Sequence, residues 1–326
     1  MIGKITIKFY LNEKDLVNGL QKGDVRNING VSSRTAKSLE ASGYRVETTV
    51  LPRIFGLFFN QNQAPVFLDK NVVAALDAVV NKDEIIQQVL NGYGVPINSP
   101  IPSHFLGEQA PDSIDGTSHS GSIEEAQSIL VKDGWVANKD GILAKKIKKQ
   151  TTLLQFSIST GDTPELKLAA ELLKADFEKI GARVDLKIFE IGSLNQDVIR
   201  PRKYDALFFG QVISHESDLF AFWHSSQRND PGLNIAMYTN SKVDKLLQDS
   251  LTTSDRDARI KKYMAFQDEL AKDKPAIFVY SPDFIYIVAK NLGGLDLNQI
   301  TIPADRWNSV FNWHTETEKI WKIFKK

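Results

Sequence analysis

The stretch that decides the fold runs from residue 204 to residue 240 and reads YDALFFGQVISHESDLFAFWHSSQRNDPGLNIAMYTN. It opens with a short apolar strand, Ala206 to Phe209, which ends at Gly210. Its pattern also predicts a second short strand at Ile235 to Tyr238. In open α/β sheets, ligands bind in the crevice outside the carboxyl ends of the strands. The loop between the two predicted strands is therefore a candidate binding site.

This loop offers hydrogen-bonding and stacking groups but few fixed charges. Its candidate side chains are Gln211, Ser214, His215, Phe222, Trp223, His224 and Asn234. Neutral donors with aromatic faces are more typical of a binding site than of a catalytic one. For Phe222 and Trp223 two roles stay open, packing in the core or lining a cleft. The polar residues that follow them favour the cleft for one of the two.

The clearest local unit lies upstream, between residues 153 and 190. Its pattern predicts a strand at 153–159, a helix that carries Pro164 in its first turn and ends at Gly181, and a strand at 184–189. A strand, helix, strand order of this length predicts a parallel, right-handed crossover. The Asp140–Gly141 turn predicts a hairpin whose return strand is the strand at 153–159.

The sequence before residue 153 has the pattern of small αβ units. Ile5, Ile7 and Phe9 share one face of a predicted strand, and helices are expected at 12–21 and 32–42. Together, these patterns and those above predict an α/β protein with two lobes. The first lobe comprises residues 1–57 and 284–326, and the second α/β lobe comprises residues 58–283.

Composition excludes several classes of function. The 326 residues carry 40 Lys plus Arg and 40 Asp plus Glu, so no net field favours nucleic acid. With no Cys, the chain has no disulfide, thiolate metal site or Cys nucleophile. His215 and Glu216 begin like a zinc protease motif, but Leu219 stands where the second His belongs. The sequence thus predicts no metal, no cofactor and no enzyme.

Six segments carry a resemblance to a known family. They are LPRIFGLFFNQN at 51–62, DKNVVAALDAVVNKDEIIQQVLNGYGVPINSPIP at 69–102, EEAQSILVKDGW at 124–135, LAAELLKADFEKIGARVDL at 168–186, the 204–240 block, and DRDARIKKYMAFQDELAKDKPAIFVYSP at 255–282. In this order they resemble the solute-binding proteins of bacterial peptide, nickel and oligosaccharide ABC importers, family 5. They cover most of the chain.

The resemblance implies a type II periplasmic-binding fold that traps a small peptide or other polar solute between its lobes. It implies delivery of that solute to an ABC permease, as a monomer, in the periplasm or at the cell surface. It also implies ligand-binding roles for residues in and after the strand of the 204–240 block. These are Phe209, Gly210, Gln211, Ser214, His215, Trp223 and Asn234.

Two departures from the family pattern shape these expectations. Many peptide-binding members carry an Asp for the peptide amine where this chain has Ser214, and Glu216 or Asp218 is the expected substitute. Members also carry a longer N-terminal part, so the chain is expected to hold one lobe and part of the other. Two further hypotheses stay open: a hydrolase that uses His215 and Glu216, and a sensor or interaction protein with the same cleft.

Overall fold

The computed structural model describes residues 3–102, 120–147, 150–298 and 300–315. The chain divides into two compact units. Unit 1 comprises Met1–Leu51, Asn91–Tyr93 and Pro282–Lys326, and unit 2 comprises Pro52–Leu90 and Gly94–Ser281. The sequence placed these boundaries after residues 57 and 283. That the units correspond to the two predicted lobes stays a prediction.

Nine α-helices of six or more residues are found in the described part of the chain. They are α1 (Glu13–Gln21), α2 (Ser33–Ala41), α3 (Lys70–Val79), α4 (Lys82–Leu90), α5 (Ile123–Lys132), α6 (Pro164–Lys179), α7 (Asp218–Trp223), α8 (Ser241–Thr252) and α9 (Arg256–Asp273). The other helical segments are Pro65–Leu68, Ile191–Ser193, the π-helical Leu194–Ile199, Ser225–Gln227, Pro303–Trp307 and Val310–Asn312.

Thirteen strands lie in the same described residues. They are β1 (Ile28–Asn29), β2 (Arg45–Val50), β3 (Arg53–Phe59), β4 (Gly94–Pro96), β5 (Val136–Ala137), β6 (Leu143–Ile147), β7 (Gln150–Leu153), β8 (Gln155–Gly161), β9 (Arg183–Phe189), β10 (Ala206–Val212), β11 (Ala276–Val288), β12 (Leu292–Gly293) and β13 (His314–Thr315).

The central sheet of unit 2 has the strand order β11, β3, β10, β8, β9. The pairs β11–β3 and β3–β10 are antiparallel, whereas β10–β8 and β8–β9 are parallel. Successive side chains of a strand point to opposite faces. Leu57 accordingly packs in one buried cluster, with helices α3 to α6, while Phe58 packs in another, with α7 to α9. The sheet is therefore buried on both faces.

The predicted crossover is confirmed as the segment β8–α6–β9. Its strands pair in parallel from Gln155↔Arg183 to Gly161↔Phe189. The Thr163 side chain accepts a hydrogen bond from the Leu166 N–H, and Pro164 occupies the first turn of α6. Pro suits this position because the first N–H groups of a helix lack an intrahelical partner.

The predicted hairpin is wrong in its return strand. After the turn at Asp140 and Gly141 the chain returns as β6, and β5, β6 and β7 form a separate three-stranded antiparallel sheet. The strand predicted at 153–159 corresponds to β8, which pairs with β9 and β10 instead. The β6 segment reads LAKKI, and its two Lys residues interrupt the apolar pattern, so the sequence did not mark it as the strand that closes the hairpin.

Unit 1 is built on α1, α2 and three antiparallel strands. Residues of β1 and β2 pair with the second half of β11, from Ile28↔Ile287 to Val50↔Asp283. Asn12 and Ser32 cap the two helices by accepting backbone N–H groups. One buried cluster of this unit surrounds Ile287, and a second surrounds Trp313.

The strand predicted at residues 5–9 does not form. Residues 3–10 have no regular element, and the Phe9 side chain is 94% exposed. A β-strand needs a neighbour to receive its backbone hydrogen bonds. None of the described strands pairs with this segment. The segment therefore has the alternating sequence of a strand but does not form one.

Over the described ranges, no helix has the length and apolar character that crossing a bilayer requires.

Candidate functional site

Strand β10 is paired unequally on its two sides. Its pairing with β3 extends over the whole strand, from Ala206↔Phe59 to Val212↔Arg53. Its pairing with β8 covers only Ala206 and Leu207. Beyond Leu207, no described strand pairs with the β8 side of β10. The carboxyl-terminal half of β10 therefore has an open backbone edge in unit 2.

The backbone groups that face this open edge follow from the antiparallel pattern, in which alternate residues direct their N–H and C=O to the same side. Asp205 C=O and Ile213 N–H bond toward the β3 side, to Asn60 and Pro52. Odd-numbered residues of β10 therefore face β3. Phe208 C=O faces the other way and accepts a bond from Thr160 Oγ1 at 2.9 Å. The next even residues, Gly210 and Val212, direct their backbone groups to the open edge.

Gly210 is required by the packing of unit 2 as well. A Cβ at this position would lie 2.7 Å from the nearest atom of the Phe55 ring. That ring is stacked on Tyr280 with centroids 4.9 Å apart, so it has little room to withdraw. The predicted ligand-binding role of Gly210 stays a prediction, and the glycine already has a structural reason.

The segment after β10 is held by Asp218, the first residue of α7. Its Oδ2 accepts hydrogen bonds from the backbone N–H groups of Ser214 at 2.8 Å and His215 at 2.9 Å. Ser214 is half-buried and His215 is exposed. The carboxylate therefore shapes the turn that carries two of the predicted binding residues.

Glu216 is also engaged within unit 2. Its Oε2 lies 2.5 Å from Nε of Arg259, on α9. The hydrogen bond that Arg259 donates to this carboxylate raises the pKa of Arg259 above its usual value. Neither Glu216 nor Asp218, the two expected substitutes for an amine-binding Asp, is an unpaired carboxylate in this structure.

Trp223 lies inside the core of unit 2. Its side chain has 0% exposure, and its ring contacts Phe278 and Phe58 at centroid distances of 5.9 and 6.2 Å. Of the two roles that the sequence left open, this placement favours packing. The role of Trp223 as a ligand contact stays a prediction, and the side chain has no exposed surface that a ligand could touch. Phe222 is half-buried, and Phe209, half-buried too, packs against the same core.

Asn234 organises the turn where the sequence predicted a second strand. Its Nδ2 donates to the carbonyls of Trp223, His224 and Tyr238, and its Oδ1 accepts from Tyr238 N–H at 3.2 Å. The segment 235–238 forms no strand, and Met237 adopts a positive φ of 53°. The strand prediction is wrong because side-chain hydrogen bonds from a buried Asn fold the chain back on itself.

Gln211 differs from these residues because part of its polar group is unused. The side chain is 4% exposed, and no described residue bonds to its Oε1. In the register of the sheet it lies opposite Ile54, on the face of Leu207 and Phe209. Three other buried atoms of unit 2, Arg53 Nε, Ser159 Oγ and Trp223 Nε1, also lack a described partner. Most buried polar atoms in proteins have one, so each unpaired atom needs an explanation.

Among the described histidines, His224 has the most polar contacts, and the sequence alone gave it no specific role. Its Nδ1 lies 2.8 Å from Ser226 Oγ and accepts the Ser226 N–H at 3.1 Å. The ring is buried and stacked on Phe220 at a centroid distance of 4.2 Å. These contacts give His224 a capping role in the turn Ser225–Gln227. The hydrolase hypothesis paired His215 with Glu216. In the structure His215 is exposed, whereas Glu216 is bound to Arg259.

Two other kinds of site, a metal cluster and a cavity, do not coincide with the end of β10 in the described residues. Three or more His, Asp or Glu side chains that could hold a metal ion do not come together in the described ranges. A cavity of about 890 Å³ lies in unit 1 and includes none of the predicted site residues in its lining. The extended segment 3–10 forms part of that lining.

Comparison with known proteins identifies the family. The sequence model of the bacterial extracellular solute-binding proteins, family 5 (middle region), matches residues 1–231, which is more than half of the chain. The chain belongs to this family.

The relatives of this family 5 chain include the oligopeptide-binding protein AppA of Bacillus subtilis. The two are 29% identical over 295 residues, which cover 89% of this chain and 52% of AppA. A solved structure of B. subtilis AppA with a nonapeptide matches with a TM-score of 0.70 and 25% identity, over 93% of this chain and 58% of that one. NikZ from Campylobacter jejuni with Ni(L-His) matches with a TM-score of 0.68 and 24% identity, over 94% and 61%.

These findings confirm the predicted family and the α/β fold of the periplasmic-binding type. Members of family 5 are extracellular solute-binding proteins and not enzymes. The family 5 chain spans about half the length of the curated relatives it matches, 52% of AppA and 53% of the nickel-binding protein NikA of Staphylococcus aureus.

Proposed function

We propose that the open edge of β10 holds an extended peptide, or another polar solute with peptide-like N–H and C=O groups. The observation that carries this proposal is the unequal pairing of β10, which leaves Gly210 and Val212 without a strand on the β8 side. An exposed sheet edge binds an extended peptide by adding it as a further strand. Val212 is 45% exposed, so the edge is accessible where it ends.

The wider role follows from the family. The proposed role is that of the substrate-binding component of an ABC importer, which delivers its solute to a membrane permease. It acts in the periplasm or at the cell surface as a monomer, performs no chemistry on the solute and binds no nucleic acid. Support comes from the peptide-binding relative AppA and from a similar solved protein described as ABC transporter-associated and periplasmic, from Helicobacter pylori, with a bound peptide.

The test removes one hydrogen-bond donor from the open edge. Replacement Val212→Pro deletes the Val212 N–H, which faces away from β3, so the β3–β10 pairing keeps its bonds. Calorimetric titration with pools of random tri- to nonapeptides should show binding to the unchanged chain. The variant should bind about tenfold more weakly, the factor that corresponds to about 1.4 kcal/mol for one lost hydrogen bond.

Circular dichroism and urea unfolding of the variant supply the control, since its stability should stay close to that of the parent. A folded chain that binds no peptide in any pool would refute the proposed function. Equal affinity in the parent and the variant would refute the open edge as the site.

A further inference from the structure

We infer that unit 1 holds a second binding site, which takes an extended acidic peptide whose carboxylates alternate with apolar side chains. The peptide binds in the cavity of unit 1 as a strand beside residues 3–10. Among the described residues, the lining of this cavity includes none of β10 or of the turn after it. The inference therefore stands independently of the function proposed for the end of β10.

The first observation concerns the backbone of residues 3–10. The segment has the alternating sequence of a strand, but no described strand pairs with it. Its apolar side chains Ile5, Ile7 and Phe9 are exposed. Tyr10 packs against Gly19 of α1 and so holds the end of the segment to the unit. Unpaired backbone groups beside exposed apolar side chains are the features to which a further strand adds.

The second observation is a free strand edge in the same cavity. On one side β1 pairs with β11 through Ile28 and Asn29, and no described strand lies on its other side. Residues 23–30, which include β1, line the cavity together with residues 3–10, and its volume is about 890 Å³. Ligand sites typically have volumes of about 300–1,000 Å³, so the cavity has room for a short peptide segment.

The third observation is the charge of the cavity. Its charged lining residues are Lys4, Lys8, Arg26, Arg306, Glu13 and Asp24. Four positive and two negative side chains give the lining a net charge of +2, although the whole chain is neutral. The lining therefore attracts an anionic ligand more strongly than a cationic one.

Arg306 contributes to this charge because its described partners are neutral. Its Cζ lies 4.6 Å from the ring centroid of Trp307 and 5.6 Å from that of Tyr286. The guanidinium also donates a hydrogen bond to the Pro303 carbonyl. A carbonyl and two aromatic rings leave the positive charge of the guanidinium in place.

The sequence of the lining segment specifies the pattern of the ligand. Lys4 and Lys8 lie at even positions, and Ile5 and Ile7 lie at odd positions. On paired strands, opposite charges and apolar pairs that face each other stabilise the pairing, whereas like charges destabilise it. A strand with Glu or Asp opposite the lysines and apolar residues opposite the isoleucines therefore fits, and a basic strand is repelled.

The experiment compares two probes that differ in the sign of their charge. One is an N-acetylated heptapeptide amide of alternating Glu and Val, and the other has Lys in place of Glu. In calorimetric titration of the purified chain at low ionic strength, the Glu peptide should bind at least about tenfold more tightly. The difference should shrink in about 1 M salt, which screens charges beyond about 3 Å. Equal affinities, tighter binding of the Lys peptide, or no binding to the folded chain would overturn the inference.

Variants of the lining locate the site. The double variant Lys4→Gln/Lys8→Gln changes only exposed side chains, and it should weaken binding of the Glu peptide about threefold or more. Arg306→Gln should have a similar effect. Arg34→Gln is the matched control, because Arg34 is exposed on α2 and is not among the lining residues. Unchanged affinity in both lining variants would overturn the inference.

The variant Val212→Pro separates this site from the open edge of β10. It should keep the preference for the Glu peptide over the Lys peptide. Loss of that preference in Val212→Pro, with no loss in the unit 1 variants, would place the acidic peptide at β10. That result would overturn the inference and leave the proposed function standing.

Hydrogen exchange separates a paired strand from a loose attraction between charges. Alternate backbone amides within residues 4–9 should exchange at least about tenfold more slowly with the Glu peptide bound, because paired N–H groups are protected. The amides of α2 serve as an internal control and should keep their exchange rates. Tight binding without protection of residues 4–9 would overturn the added strand, and with it the inference.

Discussion

Lys82 and Gln211 are both buried polar residues of unit 2, and they differ in whether their polar atoms are used. Lys82 is 1% exposed, and its Nζ donates to the Ile97 carbonyl at 3.0 Å and to Asn98 Oδ1 at 2.6 Å. Gln211 is 4% exposed, and its Oε1 has no described partner. A satisfied buried group such as Lys82 joins segments of the fold, whereas Oε1 of Gln211 adds no such link among the described residues.

The largest expected effect comes from removal of Lys82. Lys82→Ala leaves the Ile97 carbonyl and Asn98 without their donor and creates a cavity, so the free energy of unfolding should fall by about 3 kcal/mol. Urea unfolding measures this loss. The control Lys174→Ala, which removes a half-buried residue paired with Glu178 near the surface, should cost about 0.5 kcal/mol or less. Equal losses of unfolding free energy in the two variants would show that the buried hydrogen bonds of Lys82 do not stabilise the fold.

A pH dependence of stability should follow from the same residue. Burial lowers the pKa of Lys82 to about 8, a shift that the nearby Asp77 carboxylate opposes and Lys274 reinforces. Above pH 8 the folded protein therefore holds a neutral Lys82, while the unfolded chain stays protonated until about pH 10.4. The unfolded state binds more protons in this window, so stability should rise with pH by about 2 kcal/mol.

The variant Lys82→Met isolates that contribution. Unfolding free energies at pH 8 and pH 10 should rise in the parent relative to the variant, and parallel changes in the two proteins would contradict the assignment.

A smaller effect is expected where the backbone, and not a polar side chain, limits the site. Gly210→Ala places a methyl group against the Phe55 ring, which should cost about 1 to 2 kcal/mol of stability. Gly3→Ala is the control, because a Cβ there has no neighbour within 4 Å. Thermal unfolding of both variants checks the prediction. An unchanged midpoint for Gly210→Ala would show that Phe55 yields easily.

The smallest expected effect on stability belongs to Gln211, and it sharpens the comparison most. Gln211→Leu removes an acceptor that has no partner, so the free energy of unfolding should stay within about 0.5 kcal/mol of the parent or increase. A loss as large as that of Lys82→Ala would mean that Gln211 holds the fold together. In that case the contrast between the two residues would disappear.

Local patterns were enough to predict much of the fold. Thr163 and Pro164 marked the start of α6, and the strand, helix, strand order fixed the parallel pairing of β8 with β9. The same patterns failed at residues 5–9 and 235–238. The first segment alternates like a strand but has no described neighbour, and the second follows the hydrogen bonds of Asn234 instead.

The candidate site was predicted in place but not in detail. Gln211 was named as a binding residue on its position after Gly210, yet the unpaired state of its oxygen is visible only in the structure. Trp223 was named for its polar neighbours, and packing placed it in the core. Asp218 was considered as a ligand contact, and the structure shows it bonded to the backbone of Ser214 and His215.

The sequence by itself determined the family, the helix caps, the crossover and the neutral character of the loop after Gly210, because these depend on residue types within a few positions of one another. Only the tertiary structure decided which edge of β10 is open and which polar groups are already engaged. The pair Glu216–Arg259 joins residues 43 positions apart, and Ser157–Asp205 joins residues 48 apart. Whether a carboxylate is free for a ligand depends on such distant partners, which a local pattern cannot reveal.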